Sequence, residues 1–177
     1  MALIPEFLDE SLPAINADST DHGCFGCGDG NPHGLRLRFR PYPAGGVWGR
    51  FVPSELHQGY LSMTHGGITA TILDEAMSWA ITNAGDIGVT ARMTLSFRNP
   101  AHVGESLVVL ADVQQRRGRL IDAAATLYRE RDGAIIAQAE GRFMRVTQEQ
   151  AAAWAVAYAA DTPDSVFGRA ATRNASS

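Results

Sequence analysis

From Gly67 to about Asn83 the chain offers one continuous helical candidate that is apolar almost all the way round. At about 100° per residue, Ile68, Ala70, Ile72, Leu73, Ala76, Met77, Trp79, Ala80 and Ile81 cover most of the circumference and leave a narrow polar stripe of Thr71, Glu75, Ser78 and Thr82. A helix of this kind is stable only when other structure surrounds it. The rest of the chain therefore has to wrap it.

The flanking segments are suited to that task. Leu35 to Arg40 alternates leucine and phenylalanine with arginine, and Val47 to Val52 follows after Pro-Ala-Gly-Gly, which predicts a hairpin-like strand pair. After Gly85 the period drops to two: Met93, Leu95 and Phe97 alternate with Arg92, Thr94, Ser96 and Arg98, predicting a strand buried on one face. Three more strands are predicted at Ser106 to Gln115, Leu120 to Arg129 and Ala134 to Val146. Arg116-Arg117-Gly118-Arg119 and Arg131-Asp132-Gly133 join them, and such short Gly-bearing connections link antiparallel neighbours. Two strands, one helix and four strands make an α+β fold, an antiparallel sheet of about six strands around one long central helix.

At 177 residues, with 45% hydrophobic and 19% charged residues, the chain fits one compact domain. Residues 1–34, rich in Pro, Gly, Asp and Asn, read as an irregular lead-in with at most a short helix near Pro5 to Leu12. Residues 35–146 form the body. Residues 147–177 hold an Ala-rich helix, Gln148 to Ala160, and a frayed tail from Asp164 to Ser177. A net charge of −4 provides no overall positive field, which argues against nucleic acid as a partner. The N-terminus lacks the basic start and apolar run of a signal peptide, and no stretch approaches membrane-spanning length, so a cytoplasmic protein without a membrane partner is expected.

Cys24 and Cys27 are the only cysteines. A C-x-x-C pair admits a redox couple, half a zinc site or two small loop residues. No second cysteine pair or well-placed histidines complete a zinc site, so the loop reading is favoured and neither metal nor cofactor is expected.

Two elements on the helix could carry chemistry. Asp74 lies where the polar stripe meets the apolar wall, so it is expected to be partly desolvated and more basic than a free carboxylate; it could equally face water, contact another subunit or pair with an arginine. Thr64-His65-Gly66-Gly67 opens the helix, where the first amides lack internal acceptors and favour developing negative charge. Glycine there allows close approach of a carbonyl oxygen. The same residues could be no more than a capping loop. His65 and Asp74 are nine residues apart, roughly 13 Å along one helix, so a single carbonyl cannot touch both. If both serve one reaction, they come from different subunits, which requires at least a dimer.

Taken together, these motifs resemble the hotdog-fold thioesterases of the phenylacetate-degradation, PaaI-like type. The resemblance runs from about Cys24 to Val146. It rests on His65-Gly66-Gly67 followed by Thr71-Ile72-Leu73-Asp74-Glu75-Ala76, on Cys24-Phe25-Gly26-Cys27-Gly28 leading to Asn31-Pro32-His33-Gly34-Leu35, and on Gly88-Val89-Thr90 leading into Phe97-Arg98-Asn99-Pro100-Ala101. It implies hydrolysis of acyl-coenzyme A (CoA), with Asp74 as general base or nucleophile, the Gly66 amide polarising the thioester carbonyl and His65 shaping the site. Ser78 and Thr90 would position water. The Asn or Gln that relatives often carry six residues before the histidine is Gly59 here, with Gln58 one place earlier, so Gln58 is the candidate for that substrate contact. Gly67 and the second-ranked carboxylate Glu75 would also border the substrate.

Further substrate contacts remain open. Arg116, Arg117 and Arg119 could hold CoA phosphates or form a solvated turn. Met77, with Trp79 and Ile81, could line an acyl channel or be plain core or dimer interface. The expected partner is an acyl-CoA substrate, and the expected assembly a homodimer or a tetramer of two dimers. Alternative readings are a hotdog enoyl-CoA hydratase or dehydratase and a non-catalytic acyl-CoA-binding module.

Overall fold

The computed structural model describes residues 8–17, 22–42 and 45–159. Strands β1 (Phe39–Pro41) and β2 (Val47–Phe51) precede the helix α1 (Gly66–Asn83), and β3 (Gly88–Phe97), β4 (Leu107–Arg117), β5 (Leu120–Arg129) and β6 (Ile135–Arg145) follow it before the terminal helix α2 (Gln148–Ala159). All six strands form one antiparallel sheet in the order β1-β2-β4-β5-β6-β3. The sheet curls around α1, which touches every strand.

The helix is buried as its composition requires. Ile72, Leu73, Ala76, Met77, Ala80 and Ile81 are fully enclosed and meet Phe39, Val47, Leu107, Ile121, Leu127 and Phe143 from the strands. The β4 to β5 hairpin closes over Gly118 and Arg119, with Gly118 at φ 60° as the first central residue of a type II′ turn demands. Among the described residues no helix is long and apolar enough to cross a membrane.

Three expectations are corrected. The first strand begins at Phe39, not Leu35, because residues 35–38 pair with the lead-in: Leu35 N–H donates to Phe25 O (2.8 Å) and Leu37 N–H to Gly26 O (2.9 Å). The face of β3 expected to be buried is only partly so: Met93 and Leu95 pack against the core, but Phe97 is 56% exposed, since β3 is an edge strand and none of the described residues covers Phe97. In the stretch expected to hold a short helix, residues 8–12 form a turn, while 5–7, like the tail from 164, lie outside the described residues.

The lead-in is also less irregular than its composition suggests. Asn16 is fully buried and acts as a piece of strand for β1: its Nδ2 donates to Leu37 O (2.9 Å) and its Oδ1 accepts from Phe39 N–H (3.0 Å), while Ile15 N–H reaches Phe39 O at 2.8 Å. Replacing Asn16 by alanine strands the buried Phe39 N–H, which is costly without water, while Leu37 O keeps Arg38 Nη1 as a donor at 3.0 Å. Asn16→Ala is expected to lower unfolding free energy by about 1–3 kcal/mol in urea titrations, with no change in the circular dichroism of the native state.

Candidate active site

The start of α1 is held from three sides. Thr64 N–H donates to Ala101 O (2.9 Å), His65 N–H to His57 O (2.8 Å) and Gly59 N–H to Met63 O (2.9 Å). His65 is the N-cap, with extended backbone at φ −62°, ψ 135°, and its ring Nδ1 accepts from Gly67 N–H at 2.9 Å. The Gly66 N–H, one residue into the helix, has no hydrogen-bond acceptor among the described residues. It borders a cavity of about 690 Å³ lined also by Tyr60, Met63, Thr69, Phe97 and Ile136. Thus the helix presents an unpaired amide and the positive end of its dipole to an open, largely apolar space.

Phe97 is a cavity residue that the sequence pattern concealed, because strand alternation assigned it to the core. A Cβ on Gly66 would lie 3.3 Å from the tip of the Phe97 ring, so glycine leaves the amide accessible beside that ring. Gly59 is explained as well: a Cβ there would come within 3.0 Å of His65 Cα, a backbone atom that cannot swing aside. Gln58 does not line the cavity; its side-chain oxygen accepts from Ser62 N–H at 2.7 Å and shapes the loop instead.

Two turns along α1, Asp74 Oδ1 accepts a hydrogen bond of 2.7 Å from Thr90 Oγ1. The register of β3 against β6 slips between Thr90 and Arg92, a bulge of the kind that re-aims a side chain. Asp74 and Thr90 are therefore brought together, whereas Gly66 and Asp74 are separated within the chain by about 12 Å of helix. Ser78, one turn beyond Asp74, faces a smaller cavity of about 200 Å³ with Cys24, Glu75, Trp79 and Trp154.

Glu75 departs most from expectation. The C-terminal part of the polar stripe does not lie open to water, since the lead-in packs beside Glu75, Ser78 and Thr82. The Glu75 carboxylate sits beneath the Cys24 to Cys27 loop, with Cys24 Sγ at 3.9 Å from both its oxygens and Trp79 Nε1 donating to Oε1 at 3.0 Å. Burial, reinforced by negative charge on Cys24, raises its pKa to about 7, against the hydrogen bonds from Cys27 and Trp79. A hydrogen bond from the Cys27 thiol lowers the Cys24 pKa to about 5, with help from the Gly26 and Cys27 amides, while the shared proton and burial push Cys27 up. Cys24, Cys27 and Glu75 bring three ligand-type atoms within 4.8 Å of one another, the one such group of three among the described residues. The i, i+4 spacing of Glu75 and Trp79 was the available clue to this environment.

The remaining candidates have other partners. Met77 is fully buried and its sulfur packs where a Cβ on Gly141 would otherwise lie, at 3.0 Å, so it is core. Arg116 Nε pairs with Asp86 Oδ2 (2.8 Å), Arg117 with Gln115 (2.8 Å) and Arg119 with the Arg145 carbonyl (3.2 Å), all at an exposed hairpin end.

The profile of the thioesterase superfamily matches residues 61–136, the stretch from the loop before α1 to the start of β6. Over those residues, less than half of its length, the chain is similar to the thioesterase superfamily domain. The fold around this domain is the hotdog fold, shared with solved structures of that superfamily. Acyl-coenzyme A thioesterase 13 of Mus musculus is 34% identical over 86 residues, 48% of this chain, and the match spans 61% of that relative's length. The zebra fish thioesterase superfamily member 2 structure superposes with a TM-score of 0.57 at 27% identity, covering 61% of this chain and 80% of that one. The E. coli PaaI protein from the phenylacetic acid degradation operon gives a TM-score of 0.59 at 18% identity over 63% of this chain and 80% of its own, a likeness of fold.

The cap at the mouth of the cavity can be tested by itself. His65→Ala removes the acceptor for Gly67 N–H and is expected to cost about 1 kcal/mol of unfolding free energy. His65→Asn, which restores a capping oxygen, should recover most of that loss in the same denaturant titrations.

Proposed function

We propose that this chain hydrolyses acyl-CoA thioesters in a cleft assembled from two copies, the Gly66 amide of one facing Asp74 of the other. The observation that carries the reading is the pairing of Asp74 with Thr90 on a bulged edge strand, together with an unpaired Gly66 N–H on an apolar cavity. Similarity to a protein named acyl-coenzyme A thioesterase 13 supports the substrate class.

The edge strand supports the assembly. β3 is ten residues long, carries Val89 at 44% and Phe97 at 56% exposure, and has one side of its backbone unpaired. Long open edges invite pairing with another chain. Pairing β3 with a second β3 across a two-fold axis sets the two α1 helices antiparallel, so that the start of one approaches the middle of the other.

In the proposed reaction the thioester oxygen accepts from Gly66 N–H and the acyl chain lies along Phe97 and Tyr60. Thr90 holds one Asp74 oxygen, leaving the other to take a proton from water as the water oxygen attacks the carbonyl carbon. Negative charge gathers on the carbonyl oxygen, where the amide and helix dipole stabilise it. The carbon–sulfur bond then breaks, CoA leaves as thiolate, and the proton on Asp74 passes to it. Direct attack by Asp74, forming a mixed anhydride that water opens, uses the same geometry. The site lies in the cytoplasm in this reading.

Asp74→Asn should cut kcat by about 10²- to 10⁴-fold without altering the fold. Gly66→Pro deletes the single N–H, and position and backbone suit it: proline is tolerated as the first helical residue, and His65 already has the extended conformation that precedes proline. Its kcat should fall by about 10²- to 10³-fold. Mixed oligomers of the two variants carry one intact cleft and should regain activity that neither variant has alone. Full turnover by Asp74→Asn, or no recovery on mixing, would refute the shared cleft.

A further inference from the structure

Beneath the middle of α1 lies a set of donors for which the proposed hydrolysis has no use. We propose that Cys24, Cys27 and Glu75 bind one thiophilic divalent cation of the zinc class, through two thiolates and one carboxylate oxygen, with the fourth position open to the adjoining cavity.

Spacing is the first argument. Zinc bonds of about 2.3 Å to sulfur and about 2.0 Å to oxygen, in a tetrahedron, set donor atoms about 3.5–3.8 Å apart. The three donors lie within 4.8 Å of one another, with Cys24 Sγ 3.9 Å from the carboxylate oxygens, so small side-chain rotations close the set.

The loop's construction is the second. Gly28 N–H donates to Cys24 O at 3.0 Å, closing the turn that brings the two cysteines to one side of the loop. Two glycines permit this wrapping. A Cβ on Gly26 would lie 2.3 Å from Glu75 Oε2, and one on Gly28 2.1 Å from His22 O. Contacts to the residues just before β1 hold the loop in place: Leu35 and Leu37 N–H bind Phe25 and Gly26 carbonyls, and Arg38 Nη1 donates to Cys27 O at 2.8 Å.

Orientation of the carboxylate is the third. Trp79 Nε1 donates to Glu75 Oε1 and fixes the carboxylate with both oxygens 3.9 Å from Cys24 Sγ, the outer-sphere support that metal-binding carboxylates usually have. The cavity of about 200 Å³ beside Cys24 and Glu75, with the hydroxyl-bearing Ser78 and Thr82 in its wall, has room for a water or other fourth ligand. Two thiolates and a carboxylate also give a buried cation the charge it needs, and the cation in turn relieves their mutual repulsion.

The test is anaerobic titration of the reduced, chelator-treated full chain with Co²⁺, followed by displacement with Zn²⁺. Expected are one Co²⁺ per chain, sulfur-to-cobalt charge-transfer absorption with d–d bands of tetrahedral intensity, and a rise in melting temperature. Cys24→Ser, at a half-buried position, should weaken binding at least tenfold and diminish the charge-transfer band; Glu75→Gln should weaken binding while keeping both sulfur contributions. Absence of the charge-transfer band in the reduced wild-type chain overturns the proposal, as does a band unchanged in Cys24→Ser. So does a Cys24–Cys27 disulfide in the isolated protein whose reduction yields no metal uptake. No readout involves thioester turnover, so failure here leaves the Asp74 reading intact.

Discussion

The enclosure of α1 is the constraint on which the rest of the structure depends. A helix whose apolar residues occupy most of its circumference must be surrounded, and the six strands curl until each touches it. Once that is done, the polar side chains on the helix find partners close at hand, in surroundings that range from enclosed to near the surface. Thr71 and Thr82 bond back to Gly67 O and Ser78 O, Asp74 takes the Thr90 hydroxyl, and Glu75 takes Trp79 Nε1. The features with chemical potential are those that the packing leaves over. They are the free amide at the helix start, and carboxylates that reach past the sheet to an edge strand or to the lead-in.

The same enclosure explains why the proposed cleft needs two copies. Within one protomer the amide and Asp74 are fixed about 12 Å apart on a rigid rod, and no loop can shorten that distance. What can change is the neighbour. At β1 the sheet's edge is covered by Ile15 and Asn16 of the lead-in, whereas at β3 it is open among the described residues, and Thr90, the partner of Asp74, stands on that edge strand. A structural weakness of a single chain, an unpaired strand with exposed Phe97 and Val89, is thus located beside the groups that a second chain would complete.

Much of this was legible in the sequence because periodicity is a local signal. Helix against strand, the order of elements and the glycine turn at Gly118 follow from residue spacing, and the likeness of His65 to Asp74 to a known motif located the candidate groups. Asn16 was invisible because its value lies in two backbone groups, Leu37 O and Phe39 N–H, that only the folded chain brings to it. Phe97 was misplaced because alternation reports which side a residue shares with its neighbours, not whether anything covers that side. The wheel set Glu75 on a polar stripe correctly, yet at Glu75 the stripe is covered by a segment whose composition suggested no fixed structure. The Thr90 bulge, which adds one residue to one strand, left no mark on the pattern.

Asp74 and Glu75 show how little of a residue's chemistry is decided by its type. They are neighbours in sequence, about 100° apart on one helix, and the bordering structure gives them opposite surroundings. Asp74 meets a hydroxyl near the protein surface, while Glu75 is enclosed by an indole and two sulfurs and has its pKa raised to about 7. A helix needing only to fill the hollow of a sheet would be better served at position 75 by leucine, since burying a carboxylate costs more than its hydrogen bonds return. Gly26 exists within the same logic: the loop has given up a side chain to let Glu75 approach the cysteines, where a larger residue would have kept them apart. Packing against Glu75 accounts for the glycine, and the proposed cation, shared by the loop and the helix, would account for the carboxylate.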